Sequence, residues 1–383
     1  MGKSSLFRPC IERMKGYVPG AQPRGREYAK LNANENPYPP SPKVIAALQA
    51  AACDSLRLYP DSMATELREK IAQRHGLSPS RVLVGNGSDD LLTMIIRSFV
   101  GEGQTVAAPR PTYPLYDVLV EMQNGAMRWV DFPGDFSLPG GLAEPGARVT
   151  FVANPNSPSG TWVEPAAIAE LAGKLESVLV VDEAYADFAD GDCTGLLDRF
   201  PNLIILRSFS KSFSLAGVRI GYALAAEELI GGLVKVKDSY NVNRFAIAAG
   251  VAALDDIEYM RANVARIRAE RARLSDALRR LGLFVYPSHA NFVAARVSSL
   301  GMSDRELPTE GPDRKSPIPR RKSSQARPIS AEEIRKGLQS RGILIRTFGD
   351  PLLRDWIRIS LGTPEESSWV VAEIARVLGG QRS

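Results

Sequence analysis

The chain has 383 residues, 44% of them hydrophobic and 24% charged, a composition typical of a soluble globular protein with two or three domains. No run of about 18 apolar residues occurs, so we expect neither a membrane-spanning helix nor a membrane partner. The three cysteines are far apart and odd in number, which argues against a disulfide framework and favours a reducing cytoplasm. Two histidines leave few ways to build a metal site, so no metal is expected.

The formal net charge of +5 comes from one segment. Residues 314–327 contain six of the 48 basic residues and no acidic residue, and the other 42 nearly balance the 43 acidic ones. The surrounding stretch, residues 303–328, is rich in proline, serine and charge and lacks periodicity, which predicts a flexible basic insertion. Such charged runs are usually solvated, so no nucleic-acid partner is expected; an anion-binding adaptor is the minority alternative.

The first predicted elements are an arm, a loop and two helices. Residues 1–30 are interpreted as an arm, and residues 31–38 (Leu-Asn-Ala-Asn-Glu-Asn-Pro-Tyr) favour a loop because asparagine side chains bond to nearby backbone. Ser41, followed by proline, is typical of the start of a helix, which is predicted over 42–52. A Leu-Tyr-Pro-Asp break then precedes a second helix that ends near residue 75.

A phosphate-binding turn is predicted after the first strand. Residues 81–84, Arg-Val-Leu-Val, are predicted to form a short strand, and Gly-Asn-Gly-Ser-Asp-Asp at 85–90 leads into a helix over 91–99. Backbone N–H groups exposed by glycines at a helix N-terminus bind phosphate, although the Gly-x-Gly-x-x-Gly pattern of dinucleotide-binding proteins is not completed here. The next strand, over 105–108, ends near Tyr113, an aromatic residue able to stack on a flat ring.

Three further predicted strands each end in polar residues. These strands span residues 149–153, 178–181 and 203–206. The intervals of 28 residues from Asn154 to Asp182 and 26 residues from Asp182 to Ser208 suit strand–helix–strand crossovers. Such crossovers give parallel strands whose carboxyl ends lie on one side. One crevice is therefore predicted to collect the side chains of Asn156, Asp182, Tyr185, Ser208, Lys211 and Arg219.

A lysine, a buried carboxylate and a phosphate cradle in one crevice suit a cofactor. A lysine amine with a pKa of about 10.4 is a poor nucleophile at neutral pH. Partial burial beside a cation would lower the pKa of Lys211, and a Schiff base with a carbonyl is the usual reason to bury a lysine. Pyridoxal phosphate supplies both the carbonyl and the phosphate, and its ring nitrogen requires a carboxylate, which Asp182 fits.

The segment at 208–219, Ser-Phe-Ser-Lys-Ser-Phe-Ser-Leu-Ala-Gly-Val-Arg, resembles the cofactor-lysine segment of pyridoxal-phosphate aminotransferases of the aspartate-aminotransferase fold type. Within that group the chain looks most like the histidinol-phosphate aminotransferases, over nearly its whole length apart from the basic insertion. The resemblance implies an α/β fold, with a three-layer large domain built on a mostly parallel sheet and a smaller α/β domain. We expect the large domain over 36–250 and the small one from 1–35 and 251–383.

The resemblance also implies roles for individual residues. Lys211 would carry the cofactor and move a proton at the substrate carbon, with Asp182 and Tyr185 as the other catalytic residues. The residues implied to bind the cofactor are Ser88, Asp89, Tyr113, Asn156, Asp182, Tyr185, Ser208, Ser210, Lys211, Arg219 and Tyr59. Those implied to bind substrate are Tyr17, Asn34 and Arg358. In this family the tyrosine matching Tyr59 reaches the cofactor phosphate of the other subunit, which implies a homodimer.

The resulting hypothesis is a transaminase of histidine biosynthesis, which converts histidinol phosphate and 2-oxoglutarate to imidazole-acetol phosphate and glutamate. An aromatic amino-acid aminotransferase and a phosphothreonine decarboxylase share the cofactor motifs and stay open as alternatives. They differ in what Tyr17, Asn34 and Arg358 must hold. A cofactor-binding regulatory protein is expected to carry a fused helix-turn-helix, for which the short N-terminal arm leaves no room.

Overall fold

The structure is a computed structural model that describes residues 6–17, 20, 22, 28–297 and 329–379. The predicted insertion at 303–328 lies outside the described residues. The helices are α1 Pro9–Arg13, α2 Pro42–Ala51, α3 Thr65–His75, α4 Ser88–Phe99, α5 Leu115–Met122, α6 Pro165–Lys174, α7 Glu227–Val234, α8 Arg244–Leu254, α9 Ile257–Arg280, α10 Ala331–Ser340 and α11 Pro364–Gly379. The strands are β1 Ala29–Lys30, β2 Val82–Gly85, β3 Thr105–Arg110, β4 Ala126–Asp131, β5 Ala147–Ala153, β6 Val178–Asp182, β7 Leu203–Ser208, β8 Gly221–Ala225, β9 Phe284–Val285, β10 Phe292–Arg296, β11 Ile343–Leu344 and β12 Trp356–Ser360.

Seven strands form the main sheet, in the order β2-β8-β7-β6-β5-β3-β4. Strands β3 to β7 pair in parallel, whereas β8 is antiparallel to both of its neighbours, β7 and β2. Because β8 alone is reversed, β2 points the same way as the parallel strands. The α/β fold with a mostly parallel sheet is therefore confirmed.

Helices cover both faces of the main sheet, which explains the nearly continuous apolar strands. Alternate residues of β6 enter two separate cores: Leu179 and Val181 pack on one face, and Val180 packs on the other. Asp182, the next residue after Val181, therefore lies on the same face as Val180, towards α4 and α5. Glu183 lies on the opposite face.

Serine side chains cap the starts of two helices, of which α2 begins where it was predicted. The Oγ of Ser41 accepts the N–H of Lys43 at the start of α2. Ser330 and Glu333 form a reciprocal capping box at the start of α10. Helix α4 begins at Ser88, three residues earlier than predicted, directly after Gly87 with its φ of +86°.

Two smaller sheets lie outside the main one. Strands β9, β10 and β12 form an antiparallel sheet, and β1 of the arm pairs in parallel with β11. The domain boundaries at residues 36 and 250 stay a prediction. Among the described residues, none of the helices combines the length and apolar character needed to cross a membrane.

Candidate functional site

The carboxyl ends of the parallel strands meet at one edge of the main sheet, as the crossover spacing predicted. Asp182 ends β6, and Ser208 ends β7, where its Oγ accepts the N–H of Ser210 at 3.1 Å. Ser208 pairs with Gly221 of β8, and Gly221 pairs with Gly85 at the end of β2. The predicted phosphate turn after β2 therefore lies beside the end of β7.

Asp182 is a buried carboxylate held by two hydrogen bonds. Tyr116 Oη donates to its Oδ2 at 2.9 Å, and the N–H of Ala184 donates to its Oδ1 at 3.2 Å. Burial raises the pKa of Asp182 to about 6, because the lost hydration outweighs both donors and the nearby positive charge of Lys211. A cationic group placed against this carboxylate would favour its ionised form.

Lys211 lies in the loop after β7, beside Tyr185. Its Nζ is 5.7 Å from the centroid of the Tyr185 ring. The carbonyl of Lys211 accepts a hydrogen bond from Asn36 Nδ2 at 2.9 Å, and the Oγ of Ser212 donates to Asp187 Oδ2 at 2.5 Å. Contacts on both sides of the loop thus hold the lysine backbone in place.

The turn after β2 and the start of β8 form a cradle, a concave site at which Gly87 and Gly221 leave no room for a side chain. A Cβ on Gly87 would lie 2.7 Å from Arg219 Nη2, and a Cβ on Gly221 would lie 2.5 Å from the backbone nitrogen of Ser88. Arg219 itself has a φ of +64°, and its Nη2 lies 3.4 Å from Asp89 Oδ2. The first N–H groups of α4 and one guanidinium are therefore close together, as an anion site requires.

Aromatic rings line the same region. Tyr113 donates to Asp89 Oδ1 at 3.3 Å and packs edge-on against Tyr116, with ring centroids 5.6 Å apart. The ring of Tyr17, from the arm, approaches Tyr113 to 6.1 Å. Burial raises the pKa of Tyr113, so its phenol stays protonated.

Asn156 is buried in a network of its own. Its Oδ1 accepts from Thr112 Oγ1 at 2.9 Å, while its Nδ2 donates to Ser159 Oγ at 2.8 Å and to the carbonyl of Pro111 at 3.1 Å. The protein therefore fixes the orientation of this amide. Its predicted contact with a cofactor oxygen stays a prediction.

Arg358 is a guanidinium without an acidic partner among the described residues. It donates to Ser157 Oγ at 3.1 Å and to the carbonyl of Asn32 at 3.2 Å, while its Nε is buried without a hydrogen-bond partner. Its guanidinium carbon lies 5.2 Å from the ring centroid of Phe292 and 5.7 Å from that of Phe348. Burial lowers the pKa of Arg358, as expected for a cation that lacks a counter-ion.

Arg346 is a residue that the sequence reasoning missed. Its backbone exchanges two hydrogen bonds with Arg358, at 3.0 and 2.9 Å. The two residues lie opposite each other in an antiparallel bridge, which places their side chains on the same face, and the positive charge of Arg346 contributes to the lowered pKa of Arg358. The signal in the sequence was the apolar run Ile-Leu-Ile at 343–345, which is followed by Arg346. The same pattern occurs in β12, where Trp-Ile at 356–357 is followed by Arg358.

Several predicted site residues contact one another directly, although they are far apart in the sequence. Asn34 Nδ2 donates to Tyr185 Oη at 2.8 Å.

Tyr59 is different, since it is 77% exposed and stacks on Tyr240 with ring centroids 4.4 Å apart. The carbonyl of Tyr59 accepts a hydrogen bond from Arg244 Nη2 at 3.4 Å, so these two contacts of Tyr59 are with residues outside the predicted site.

A second missed group lies behind the lysine loop, on the opposite face of the sheet. The buried Arg207 guanidinium lies 3.0 Å from Glu183 Oε2, 3.5 Å from Asp187 Oδ1 and 2.7 Å from Asp192 Oδ2. Asp187 also accepts the Ser212 hydroxyl, so this cluster connects to the residue after the lysine. Burial raises the pKa of Glu183 to about 7 despite the adjacent guanidinium.

Comparison with known proteins places this geometry in a family. The model of the family described as aminotransferase class I and II matches residues 26–374. The chain belongs to that family.

Close relatives of this aminotransferase match it over nearly the full length. Two histidinol-phosphate aminotransferases, from Syntrophotalea carbinolica and Rhodopirellula baltica, are 41% and 40% identical to it, over 97% of this chain and 99% and 96% of the relatives. A solved histidinol-phosphate aminotransferase from Sinorhizobium meliloti, in complex with pyridoxal-5'-phosphate, has a TM-score of 0.83 at 29% identity and 99% coverage of both chains.

A solved L-threonine-O-3-phosphate decarboxylase from Porphyromonas gingivalis has a TM-score of 0.73 at 21% identity, over 92% of this chain and 99% of that one. At that identity the likeness of this aminotransferase to the decarboxylase shows a shared fold only.

Proposed function

We propose that the chain is a pyridoxal-phosphate-dependent transaminase that acts on histidinol phosphate and 2-oxoglutarate and yields imidazole-acetol phosphate and glutamate. The observation that carries this proposal is the match, near 40% identity over almost the whole chain, to relatives with that name. The paired residues Arg346 and Arg358 support it, because neighbouring guanidinium groups can bind an anionic substrate group.

The residues present fit the cofactor. The Gly87 and Gly221 cradle keeps side chains away from the N–H groups of α4, which leaves them free for a phosphate. The buried Asp182, with its raised pKa, is the carboxylate that a protonated ring nitrogen would stabilise. Bound pyridoxal phosphate supplies an electron sink for the bond that breaks at the substrate carbon.

The side chains of the chain would divide the remaining work. Lys211, whose amine lies beside Tyr185, would hold the cofactor covalently and then carry the proton to and from the substrate carbon. Tyr185 and Asn156 would hold the ring oxygen of the cofactor, and Tyr113 would pack against its ring. Ser208, Ser210 and Arg219 would complete the phosphate site around Ser88 and Asp89.

Arg358 and Arg346 would hold the anionic end of the substrate. Guanidinium groups bind phosphate and carboxylate oxygens in bidentate fashion, and two adjacent ones suit a dianion better than a single charge. Tyr17, near Tyr113 at the same end of the site, would close the pocket on that side. A phosphorylated amine such as histidinol phosphate therefore fits better than an uncharged aromatic side chain.

The assembly and the domain division are also proposed. Tyr59 and the exposed apolar side chains Leu56, Leu58 and Tyr240 support a homodimer, because such side chains together favour burial against a second copy. Sedimentation velocity tests the dimer. The domain boundaries at residues 36 and 250 agree with a main sheet that spans residues 82–225. The cytoplasmic location stays a prediction.

A single-turnover experiment tests the substrate. The enzyme loaded with cofactor is mixed with histidinol phosphate, phenylalanine or phosphothreonine, and the visible absorbance of the cofactor is followed. We expect loss of absorbance with histidinol phosphate at a much lower concentration than with phenylalanine. A preference for phenylalanine would move the enzyme to aromatic amino-acid metabolism.

Loss of carbon dioxide from phosphothreonine would instead identify a decarboxylase. Lys211→Ala is the control, and it should retain no visible absorbance after extensive dialysis.

A further inference from the structure

Two buried polar residues, Asn34 and Ser360, and the half-buried Tyr185 come from distant parts of the chain and are joined by hydrogen bonds. Asn34 lies in the loop after the arm, Tyr185 follows β6, and Ser360 ends β12. Asn34 N donates to Ser360 Oγ at 2.8 Å, Ser360 Oγ donates to Asn34 Oδ1 at 3.1 Å, and Asn34 Nδ2 donates to Tyr185 Oη at 2.8 Å. Asn34 is 2% exposed and Ser360 is 1% exposed, so solvent does not compete for the two bonds between them.

The direction of each hydrogen bond follows from the number of hydrogens available. A serine hydroxyl has one hydrogen, and Ser360 Oγ already accepts the Asn34 N–H, so its own hydrogen is available for Asn34 Oδ1. That bond points the amide nitrogen of Asn34 at Tyr185. The Tyr185 oxygen is then an acceptor for Asn34, and its single hydrogen remains available for another acceptor.

The backbone of Asn34 is fixed as firmly as its side chain. Its φ is +55°, in the left-handed region that few residues other than glycine adopt. Asn291 Nδ2 donates to the carbonyl of Asn34 at 2.9 Å, and the N–H of Ser360 donates to the carbonyl of Leu31 at 2.9 Å. An uncommon conformation held by several contacts indicates a functional constraint.

We propose that Asn34 is a positioning residue, which keeps the Tyr185 hydroxyl as a hydrogen-bond donor towards the ring oxygen of the cofactor, with Ser360 fixing the orientation of the Asn34 amide. This inference rests on the proposed function. It replaces the substrate contact expected for Asn34, because a side chain that is almost fully buried and bonded at both ends has little surface to offer a substrate. Ser360 lies two residues after Arg358 in β12, so one strand contains both the proposed anion-binding arginine and the serine that orients the Asn34 amide.

The test is a pH titration of the visible absorbance of the bound cofactor, without substrate. Loss of a donor makes the ring oxygen more basic, so the protonated form of the chromophore persists to higher pH. We expect Tyr185→Phe to move the midpoint upward by about one pH unit or more, and Asn34→Gly by at least about half a unit. The double variant should titrate like Tyr185→Phe alone, because Asn34 acts only through that hydroxyl.

Asn124→Gly is the matched control, since Asn124 also has a positive φ, of 58°, and lies in a half-buried turn after α5. It should titrate like the wild type. Ser360→Ala provides a second route if Asn34→Gly does not fold, and it should shift the midpoint in the same direction.

Two results would overturn the inference: a wild-type midpoint in Asn34→Gly or Ser360→Ala, or shifts of Asn34→Gly and Tyr185→Phe that add in the double variant. A raised KM for the amino donor with an unmoved midpoint would return Asn34 to substrate binding. A wild-type protein that binds no cofactor would instead refute the proposed function, and this inference with it.

Discussion

Removal of one oxygen atom from Tyr116 should retune the carboxylate that faces the cofactor. Tyr116 is completely buried, its ring stacks on Phe151 at 4.5 Å, and its hydroxyl donates to Asp182 at 2.9 Å. Tyr116→Phe keeps the stacked ring and loses only this hydrogen bond. Because the hydroxyl favours the ionised carboxylate, its loss must raise the pKa of Asp182.

The size of the effect follows from the strength of the lost bond. A hydrogen bond to a charged group contributes about 1.5–3 kcal/mol, and one pKa unit corresponds to about 1.4 kcal/mol. The pKa of Asp182, about 6 in the cofactor-free protein, should therefore rise by about one to two units. At pH 7 the ionised fraction would fall from about nine-tenths to between about one-half and one-tenth.

The assay is titration of the cofactor-free protein with pyridoxal phosphate between pH 5 and 9. Binding that requires the carboxylate should weaken about twofold to tenfold at pH 7 in Tyr116→Phe and recover as the pH rises. Protonation of the cofactor itself is common to all variants and cancels in the comparison.

Tyr222→Phe is the control for this titration. It also removes a buried phenol oxygen, but one that bonds to His75 at 3.0 Å. Equal pH dependence in Tyr116→Phe and Tyr222→Phe would refute the argument.

Two further substitutions test the cradle and the buried ionic cluster. Gly221→Ala should weaken cofactor binding about fivefold or more, because the added Cβ would lie 2.5 Å from the backbone nitrogen of Ser88 and overpacking costs about 1–3 kcal/mol. Gly231→Ala is the control: the position has open space around it, so this variant should bind the cofactor normally. Arg207→Met should destabilise the fold by about 3–5 kcal/mol in urea unfolding, because Glu183 stays buried without its partner. Arg81→Met, which breaks an ion pair with the exposed Asp198, should cost under about 1 kcal/mol, and an equal loss in both would contradict this account.

Much of the fold followed from the sequence because its strands are apolar and regularly spaced. Strands β5, β6 and β7 lie within two residues of their predicted ends, and their parallel pairing is confirmed. Strand β8 was not predicted, because glycine and alanine are depleted in strands and the place of Gly-Tyr-Ala-Leu-Ala between β2 and β7 depends on tertiary packing. The fit of Gly221 against the turn after β2 depends on that placement.

The candidate site was predictable only where strand ends converge. Asp182 and Ser208 could be placed together because crossover spacing fixes which ends of parallel strands meet. The bond between Asn34 and Ser360 joins residues 326 apart, and no local pattern reports such a pairing. The ionic cluster around Arg207 could not be predicted for another reason. The sequence shows a charged residue within an apolar strand, but only the structure shows which carboxylates lie near it on that face of the sheet.

The pairing of β1 with β11 has a consequence for folding during synthesis on the ribosome. Ala29 pairs with Ile343, which is synthesised 314 residues later. At about 5–20 residues per second, translation takes roughly 15–60 s to cover that distance. Throughout that interval β1 lacks its partner strand, whereas every strand of the main sheet has been synthesised by residue 225. Strand β1 is therefore among the last segments to find its native partner, and chaperones that bind extended nascent chain have that long to reach it.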